Sequence, residues 1–264
     1  MIQKERLSRE LSKIAPDARL FYYDITDSTN TRAMEHVRSL SDSEPIPPTL
    51  FLANCQTKGR GRRGRSFISG EGEGIFMTLL YSPREGEDVG RVTAKSAVAF
   101  RQALLRSAGV HTRIKWVNDL YAKAPSGEKK LCGILAEAVI TDSGRVRAVA
   151  VGVGINVYLG AVTEEIREIA TSIEEVTGKR LGREELILSL FEEFYKEREE
   201  EETLSEYRES SMTLGSRVTV HPHSGESYGG YAEQILEDYS LLVRKEDGEL
   251  VRVYSGEVSV KPQK

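Results

Sequence analysis

Cysteine and long apolar runs are both scarce in this sequence of 264 residues. Its two cysteines, Cys55 and Cys132, are far apart and form no CxxC pair, which argues against a disulfide framework and against a zinc site. The longest nearly uncharged stretch, 148–162, is interrupted by glycines and is shorter than the roughly 20 residues of a membrane-spanning helix. The N-terminus alternates charged with single apolar residues, unlike a signal peptide. We therefore expect a cytoplasmic protein without membrane contact.

An excess of positive charge is also missing, since the net charge is −4, and the chain as a whole should repel nucleic acid. One segment is an exception. Residues 58–65, KGRGRRGR, contain five cations and no acid. Like charges repel, so this cluster requires water or an anionic ligand to neutralise it.

The glycines of this segment match two phosphate-binding patterns, GxGxxG and a P-loop with Arg65 at the lysine position. Both patterns need a helix directly afterwards, and the sequence that follows, SFISGEGEG, is a poor helix former. A nucleic-acid patch would need interleaved aromatics or further basic residues, which are absent. We interpret residues 58–65 as a mobile loop that closes over a small, highly charged ligand, with arginines binding carboxylate or phosphate oxygens. The alternative is a solvated surface loop.

Hydrophobic patterning predicts alternating helices and strands up to about residue 211. The predicted strands are Leu20–Ile25, Thr49–Asn54, Gly74–Tyr81, Thr112–Trp116, Leu131–Thr141 and Arg145–Val153, the last two joined by a hairpin. The predicted helices cover the first 20 residues, a segment from about Asp27 to Leu40, Arg91–Ser107, a segment from Ile166 to Val176, and one with Leu186 to Phe194. The acidic run 197–202 is interpreted as the solvated end of the last helix.

Beyond Met212 the pattern changes to five short strands separated by turns, which is typical of a small β-barrel of SH3 size. We therefore predict two domains, residues 1–211 and residues 212–264.

Several polar residues lie in apolar, β-like surroundings and have two interpretations each. Lys115 and Lys130 are either solubilising charges at a strand edge or functional groups, and we expect Lys130 at a sheet edge. Asn118 and Asp119 form either a simple turn or part of a site. The glycines of GVGIN, residues 152–156, indicate either a β-bulge or close approach of a planar ligand.

Five segments taken together resemble biotin protein ligases in content and order. They are DSTN (27–30), GRGRRGR (59–65), KWVNDLY (115–121), KKLCGILAE (129–137) and GVGINV (152–157). The resemblance implies an α+β fold with a mixed, largely antiparallel sheet and flanking helices, similar to the catalytic domains of class II synthetases, plus a small C-terminal SH3-like β-barrel. Repressor-type members carry a winged helix-turn-helix of about sixty residues before the first segment. Only 26 residues precede it here, so we expect a form without that module.

The resemblance also implies an activity. The enzyme would join biotin to AMP with loss of pyrophosphate, and then transfer biotin to a lysine of a biotin carboxyl carrier protein, in acetyl-CoA carboxylase or another biotin-dependent carboxylase. Mg²⁺ is expected with ATP, its ligands being left open. No DNA partner is expected, and a homodimer would be compatible with an exposed sheet edge. A lipoate ligase-like acyltransferase and a non-enzymatic, biotin-responsive regulator are the alternatives.

The same resemblance implies roles for individual residues. Lys130 and Arg62 would be catalytic. The implied biotin-binding residues are Ser28, Thr29, Gln56, Gly59, Arg60, Arg62, Lys130 and Gly154. The implied ATP-binding residues are Arg62, Arg65, Lys115, Asn118, Asp119, Asn156 and Lys261. The chain departs from the family pattern with Phe67 in place of a tryptophan, Val117 in place of a proline, a longer connection at 122–129, and Lys261 in place of an arginine.

Overall fold

The computed structural model of the protein describes residues 2–41, 43–67, 70–84, 87–222, 224–254 and 257–260. Helices α1 to α6 span Lys4–Ile14, Thr29–Ser39, Val92–Ala108, Ile173–Thr177, Arg183–Tyr195 and Glu200–Glu209. Strands β1 to β7 span Arg19–Thr26, Thr49–Gln56, Gly74–Tyr81, Thr112–Lys115, Asp119–Ala124, Gly127–Ile140 and Val146–Asn156. Strands β8 to β12 span Arg217–His221, Tyr228–Ile235, Leu241–Lys245, Leu250–Val253 and Glu257–Val260.

The first seven strands form one sheet in the order β1-β2-β3-β7-β6-β5-β4. Only β1 and β2 are parallel, and every other neighbouring pair in this sheet is antiparallel. The last five strands form a second sheet, antiparallel throughout, in the order β11-β10-β9-β8-β12. The predicted fold class is confirmed: a mixed, largely antiparallel sheet with flanking helices, followed by a small C-terminal β unit. The division into domains at residue 211 stays a prediction.

Helices cover both faces of the large sheet because its central strands are apolar on both sides. Strand β3, for example, is buried from Gly74 to Leu80. One face packs against α1, α3 and α5 in the main core, and the other packs against α2 through a smaller cluster that includes Ala33, Phe51 and Ala150. Among the described residues no helix is both long and apolar enough to cross a membrane.

The helix predicted from Ile166 to Val176 is wrong, since only Ile173–Thr177 is helical. The preceding residues are held in place by β6 instead. The backbone N–H of Lys130 donates to the Ile169 carbonyl (3.0 Å), and the N–H of Thr171 donates to the Lys130 carbonyl (2.9 Å). The helix can begin only after this pairing, where the Ser172 hydroxyl accepts from the Glu175 N–H (3.2 Å).

The interpretation of the acidic run is also wrong. Helix α5 ends at Tyr195, and Glu200 begins a separate helix, α6. Acidic residues in a first turn are favourable, because they face the positive end of the helix dipole. Glu200 also forms an ion pair with Lys95 of α3 (2.7 Å), which fixes the start of α6 against the main core.

Two expectations about strands are corrected as well. Strand β5 is absent from the predicted strands, and β6 begins four residues earlier than expected, so Lys130 lies in a strand flanked by β5 and β7 and not at a sheet edge. The glycines of GVGIN form no bulge, because the register between β3 and β7 runs without a shift from Gly74–Asn156 to Tyr81–Val149. The predicted hairpin between β6 and β7 is present, with the Thr141 N–H donating to the Arg145 carbonyl (2.9 Å).

We predict a pH-dependent contribution of His36 to stability. Its ring on α2 lies beside Phe21 and Phe51, with centroid distances of 4.8 and 5.6 Å. Burial, assisted by Arg19, lowers the pKa of His36 below its ordinary value of 6.5. As pH falls through 6.5, the His36 ring therefore takes up a proton more readily in the unfolded state than in the folded state. The contribution of the neutral ring to the free energy of unfolding is complete above pH 6.5 and is lost as pH falls below it.

Urea unfolding at about pH 7.5 and pH 5 tests this. The free energy of unfolding should fall more in the wild type than in His36→Asn, which lacks the titrating ring. Equal losses in the two proteins would contradict the prediction.

Candidate functional site

A cavity of about 60 Å³ lies on the α2 side of the large sheet, where the start of α2 meets residues 58–65, here called the arginine loop, and strands β6 and β7. Three cations line it: Arg60, Arg62 and Lys130. Five neutral polar residues also line it: Ser28, Thr29, Asn30, Gln56 and Asn118. Segments that are far apart along the chain are thus brought to one place.

The cavity exists because the side chains of β7 become smaller towards its C-terminal end. Ala148 and Ala150 pack in the cluster beneath α2, and the next two positions on that face, Gly152 and Gly154, are glycines that line the cavity. A Cβ atom at Gly154 would lie only 2.6 Å from the ring of Phe67. A Cβ atom at Gly152 would overlap the Asn30 amide. Both glycines are therefore required by close approach of other groups.

Three of the neutral polar residues, Thr29, Asn30 and Gln56, form a continuous hydrogen-bond network with Thr78. The side-chain oxygen of Gln56 accepts from the backbone N–H of Thr29 (2.8 Å) and from its hydroxyl (3.2 Å). The Thr78 hydroxyl donates to Oδ1 of Asn30 (2.6 Å) and lies 2.8 Å from the Thr29 hydroxyl. These bonds orient the residues at the start of α2 before any ligand is bound.

The arginine loop is a short hairpin closed by its own backbone. The Phe67 N–H donates to the Gly59 carbonyl (2.9 Å), and the Gly61 N–H donates to the Arg65 carbonyl (2.7 Å). This places the ring of Phe67 over the floor of the cavity, which Gly133 and Gly154 form. A Cβ atom added at Gly133 would lie 3.5 Å from the ring, and one added at Gly154 would lie closer still. The ring thus occupies space that a ligand against the floor would share.

Two cations of this segment have partners elsewhere in the protein, which the local sequence, with five cations and no acid, does not indicate. Arg60 forms a salt bridge with Glu137 (2.7 Å). Arg62 donates to the side-chain oxygen of Asn118 (2.9 Å). Protein groups therefore already orient two of the arginines that line the cavity.

Lys130 is oriented through a carboxylate. Its Nζ lies 2.8 Å from Oδ1 of Asp119, which also accepts from the amide of Asn118 (3.1 Å). Asn118 in turn donates to the Ile134 carbonyl (2.9 Å). The two cations Arg62 and Lys130 are thus linked through Asn118 and Asp119. Burial raises the pKa of the nearby Cys132 thiol, which favours its protonated form.

Some of the described residues that were predicted to belong to the site do not line the cavity. Gly59 contributes its carbonyl to the loop hairpin, Lys115 lies over the ring of Tyr121 (5.5 Å), and the Asn156 amide donates to the Thr171 carbonyl (3.0 Å). Arg65 closes the hairpin through its backbone. Lys261 lies outside the described residues.

Sequence reasoning missed three polar residues that complete the site: Asn30, Thr78 and Glu137. Asn30 and Glu137 stand in the DSTN and KKLCGILAE segments, but the resemblance implies no role for them. Thr78 has a signal of its own, because it is a hydroxyl in the otherwise apolar strand GIFMTLLY. Among the described residues no group of three or more His, Cys, Asp or Glu side chains could hold a metal ion.

Residues 22–156 match the family model of the biotin/lipoate A/B protein ligase family, a segment that contains every cavity residue named above. The chain belongs to this family.

Individual relatives extend the similarity beyond that segment. The bifunctional ligase/repressor BirA of Bacillus spizizenii is 32% identical over 250 residues, which cover 91% of this chain and 74% of the relative. The biotin–[acetyl-CoA-carboxylase] ligase of Mycobacterium tuberculosis is 28% identical, over 88% of this chain and 85% of the relative. The solved structure of biotin protein ligase from Aquifex aeolicus, in complex with biotin and ATP, has 27% identity and a TM-score of 0.74, and covers 93% of this chain and 99% of that chain.

Proposed function

We propose that this protein is a biotin protein ligase, which activates biotin with ATP to biotinyl-AMP and transfers biotin to a lysine of a biotin carboxyl carrier protein. The observation that carries the proposal is the pairing of two chemistries in one cavity. Ser28, Thr29 and Gln56 offer hydroxyl and amide groups to the neutral ureido ring of biotin, and Arg60, Arg62 and Lys130 offer positive charge to its carboxylate.

In the first step the biotin carboxylate attacks the α-phosphorus of ATP. A carboxyl O–P bond forms and the bond to pyrophosphate breaks, so negative charge accumulates around the oxygens shared by the two groups. Lys130 and Arg62 would stabilise this charge, and their links through Asn118 and Asp119 orient them before reaction. In the second step a carrier lysine amine attacks the anhydride carbonyl and AMP leaves.

Further roles are proposed for residues of the same segments. Gly59 and Gly154 would permit close approach of biotin or its adenylate. Binding of ATP would involve a further five residues: Arg65, Lys115, Asn118, Asn156 and Lys261. Mg²⁺ binds in nucleotide sites through one or two carboxylates together with phosphate oxygens, and the Asp119 carboxylate fits this requirement. Bound there, the ion would screen the charge of the phosphates.

The family includes lipoate ligases, and biotin is favoured over lipoate by the neutral polar group. The dithiolane ring of lipoate has no hydrogen-bonding N–H or carbonyl, so it would leave Ser28, Thr29 and Gln56 without ligand partners. A non-enzymatic, biotin-responsive regulator would bind biotin without turning over ATP. A homodimer, a cytoplasmic location and the lack of a DNA partner stay predictions.

The test is to incubate the protein with biotin, ATP and Mg²⁺ and to search for biotinyl-AMP by mass spectrometry. Pyrophosphate release should require biotin and should be slow with lipoate, and a carrier domain should gain the mass of one biotin. Pyrophosphate release from ATP that occurs with lipoate but not with biotin would establish the acyltransferase alternative. Biotin binding without either product would establish the regulator.

Arg62→Gly should form biotinyl-AMP but hold it poorly. The variant loses a cation beside the adenylate and gains backbone freedom in the loop hairpin. Escaped adenylate then acylates exposed lysines without specificity, so bystander proteins should become biotinylated faster than with the wild type. Streptavidin blots of a mixed protein sample measure this, with omission of ATP as the control. If bystander labelling is no faster than with the wild type, Arg62 does not retain the adenylate.

A further inference from the structure

We propose that Glu137 is a positioning residue for Arg60, which it holds on the cavity wall as a preoriented cation for the anionic part of the ligand. The proposal deepens the proposed function and rests on it, because that function makes the ligand anion a biotin carboxylate or adenylate phosphate. The site residues predicted from the sequence do not include Glu137.

Strand β6 places Glu137 on the same face as the cavity. Side chains of a strand alternate between faces, so Gly133, Leu135 and Glu137 share one face. Gly133 and Leu135 both line the cavity. Glu137 follows them at its border, with about a quarter of its side chain exposed.

The carboxylate of Glu137 is itself fixed by a buried residue. Its Oε2 accepts from the amide nitrogen of Asn30 (2.8 Å), and Asn30 is only 3% exposed. The same nitrogen donates to the Leu135 carbonyl (3.1 Å), while the Asn30 oxygen accepts from Thr78 (2.6 Å). Both the nitrogen and the oxygen of the Asn30 amide are hydrogen-bonded within the protein, so the orientation of this amide is fixed. The Asn30 amide in turn fixes the orientation of the Glu137 carboxylate.

Glu137 then holds Arg60 by one end of its guanidinium. Nη2 of Arg60 donates to Oε2 of Glu137 (2.7 Å). Within the described residues no other acceptor is bonded to the Arg60 side chain, which leaves its remaining N–H groups for a ligand. A guanidinium has five N–H donors in a rigid fork, so one anchored N–H fixes the direction of the others.

The opposite role would be competition, in which Glu137 neutralises Arg60 and must be displaced by the ligand. The two roles predict changes of opposite sign. Removing a positioning residue weakens binding of an anionic ligand, whereas removing a competitor strengthens it. The monodentate contact favours positioning, because it leaves most of the fork open.

The experiment measures biotinyl-AMP binding to the full chain by calorimetry. Glu137→Ala should raise the dissociation constant about tenfold, a loss typical of a hydrogen bond to a charged group. Glu137→Gln keeps an oxygen that accepts from Asn30 and Arg60, so its dissociation constant should rise by about threefold or less. Glu128→Ala is the matched control: it lies on the same strand and breaks an ion pair with Arg113 (3.3 Å), away from the cavity, and should bind as the wild type.

A double-mutant cycle separates positioning from a merely structural role. Arg60→Ala should weaken binding by a similar factor, and adding Glu137→Ala to it should cause no further loss. The proposal would be overturned if the double variant lost affinity by the product of the two single-variant factors. It would also be overturned if Glu137→Ala bound biotinyl-AMP as tightly as the wild type or more tightly. If Glu137→Ala does not fold, the same cycle with Glu137→Gln decides, since its smaller loss must also vanish without Arg60.

Failure of the proposed function has a different signature. A wild-type protein that binds neither biotin nor biotinyl-AMP would overturn that function together with this inference. A wild-type protein that binds both, with Glu137→Ala unchanged, would overturn the positioning role alone.

Discussion

Lys130→Ala is expected to slow biotinyl-AMP formation about 100- to 1000-fold while changing the affinity for biotin only a few fold. Negative charge is greatest when the carboxylate and the α-phosphate react, so a cation at that point stabilises the transition state more than the bound substrate. The variant also leaves Asp119 without its ion-pair partner, and this uncompensated carboxylate adds repulsion towards ATP.

Single-turnover measurement of adenylate formation, with biotin binding followed separately, gives both quantities. Lys129→Ala is the matched control, because the neighbouring lysine donates to the Arg167 carbonyl and does not line the cavity. A Lys130→Ala rate within tenfold of the wild type would assign the stabilising charge to the arginine loop instead.

Gly154→Val should abolish measurable biotin binding, with a dissociation constant at least about 100-fold higher. The side chain would enter a cavity of about 60 Å³ at a point where even a Cβ atom lies 2.6 Å from Phe67. Overpacking of this kind costs about 1 to 3 kcal/mol in stability. The protein should therefore still fold, with the loss concentrated in ligand binding.

Ala150→Val provides the comparison, since it enlarges a side chain on the same face of β7 but within the cluster beneath α2. It should lose a similar amount of stability and retain biotin binding. Calorimetry and thermal unfolding of both variants give the two quantities. Normal biotin affinity in folded Gly154→Val would show that the ligand does not lie against this part of the floor.

Short-range patterns in the sequence predict most of the fold and part of the site. Apolar strands such as 74–81 and the glycines at 152 and 154 have strong local signals, and the resemblance to biotin protein ligases implies that Lys130 and Arg62 belong to one site. Contacts between distant residues carry no such signal. The salt bridge of Arg60 joins residues 77 positions apart, and the hydrogen bond from Asn30 to Glu137 joins residues 107 positions apart.

The false helix at 166–176 shows why periodicity alone is insufficient. Its apolar residues do recur at helical spacing, but Ile169 is 65% exposed and its carbonyl is bonded to the backbone of Lys130. Tertiary hydrogen bonds to β6 outweigh the local preference for helix. The same pairing keeps this segment beside the strand that carries Lys130.

The pairing of β3 with β7 joins two halves of the large sheet that are each made of consecutive strands, residues 19–81 and residues 112–156. Ser28, Gln56 and Arg62 come from the first half, and Lys130 and Gly154 come from the second. During synthesis the nascent chain therefore has no cavity until β7 has left the ribosome and paired with β3. A ligand that contacts both halves binds only after this step, and by mass action it then favours the joined state over chains in which the halves remain apart.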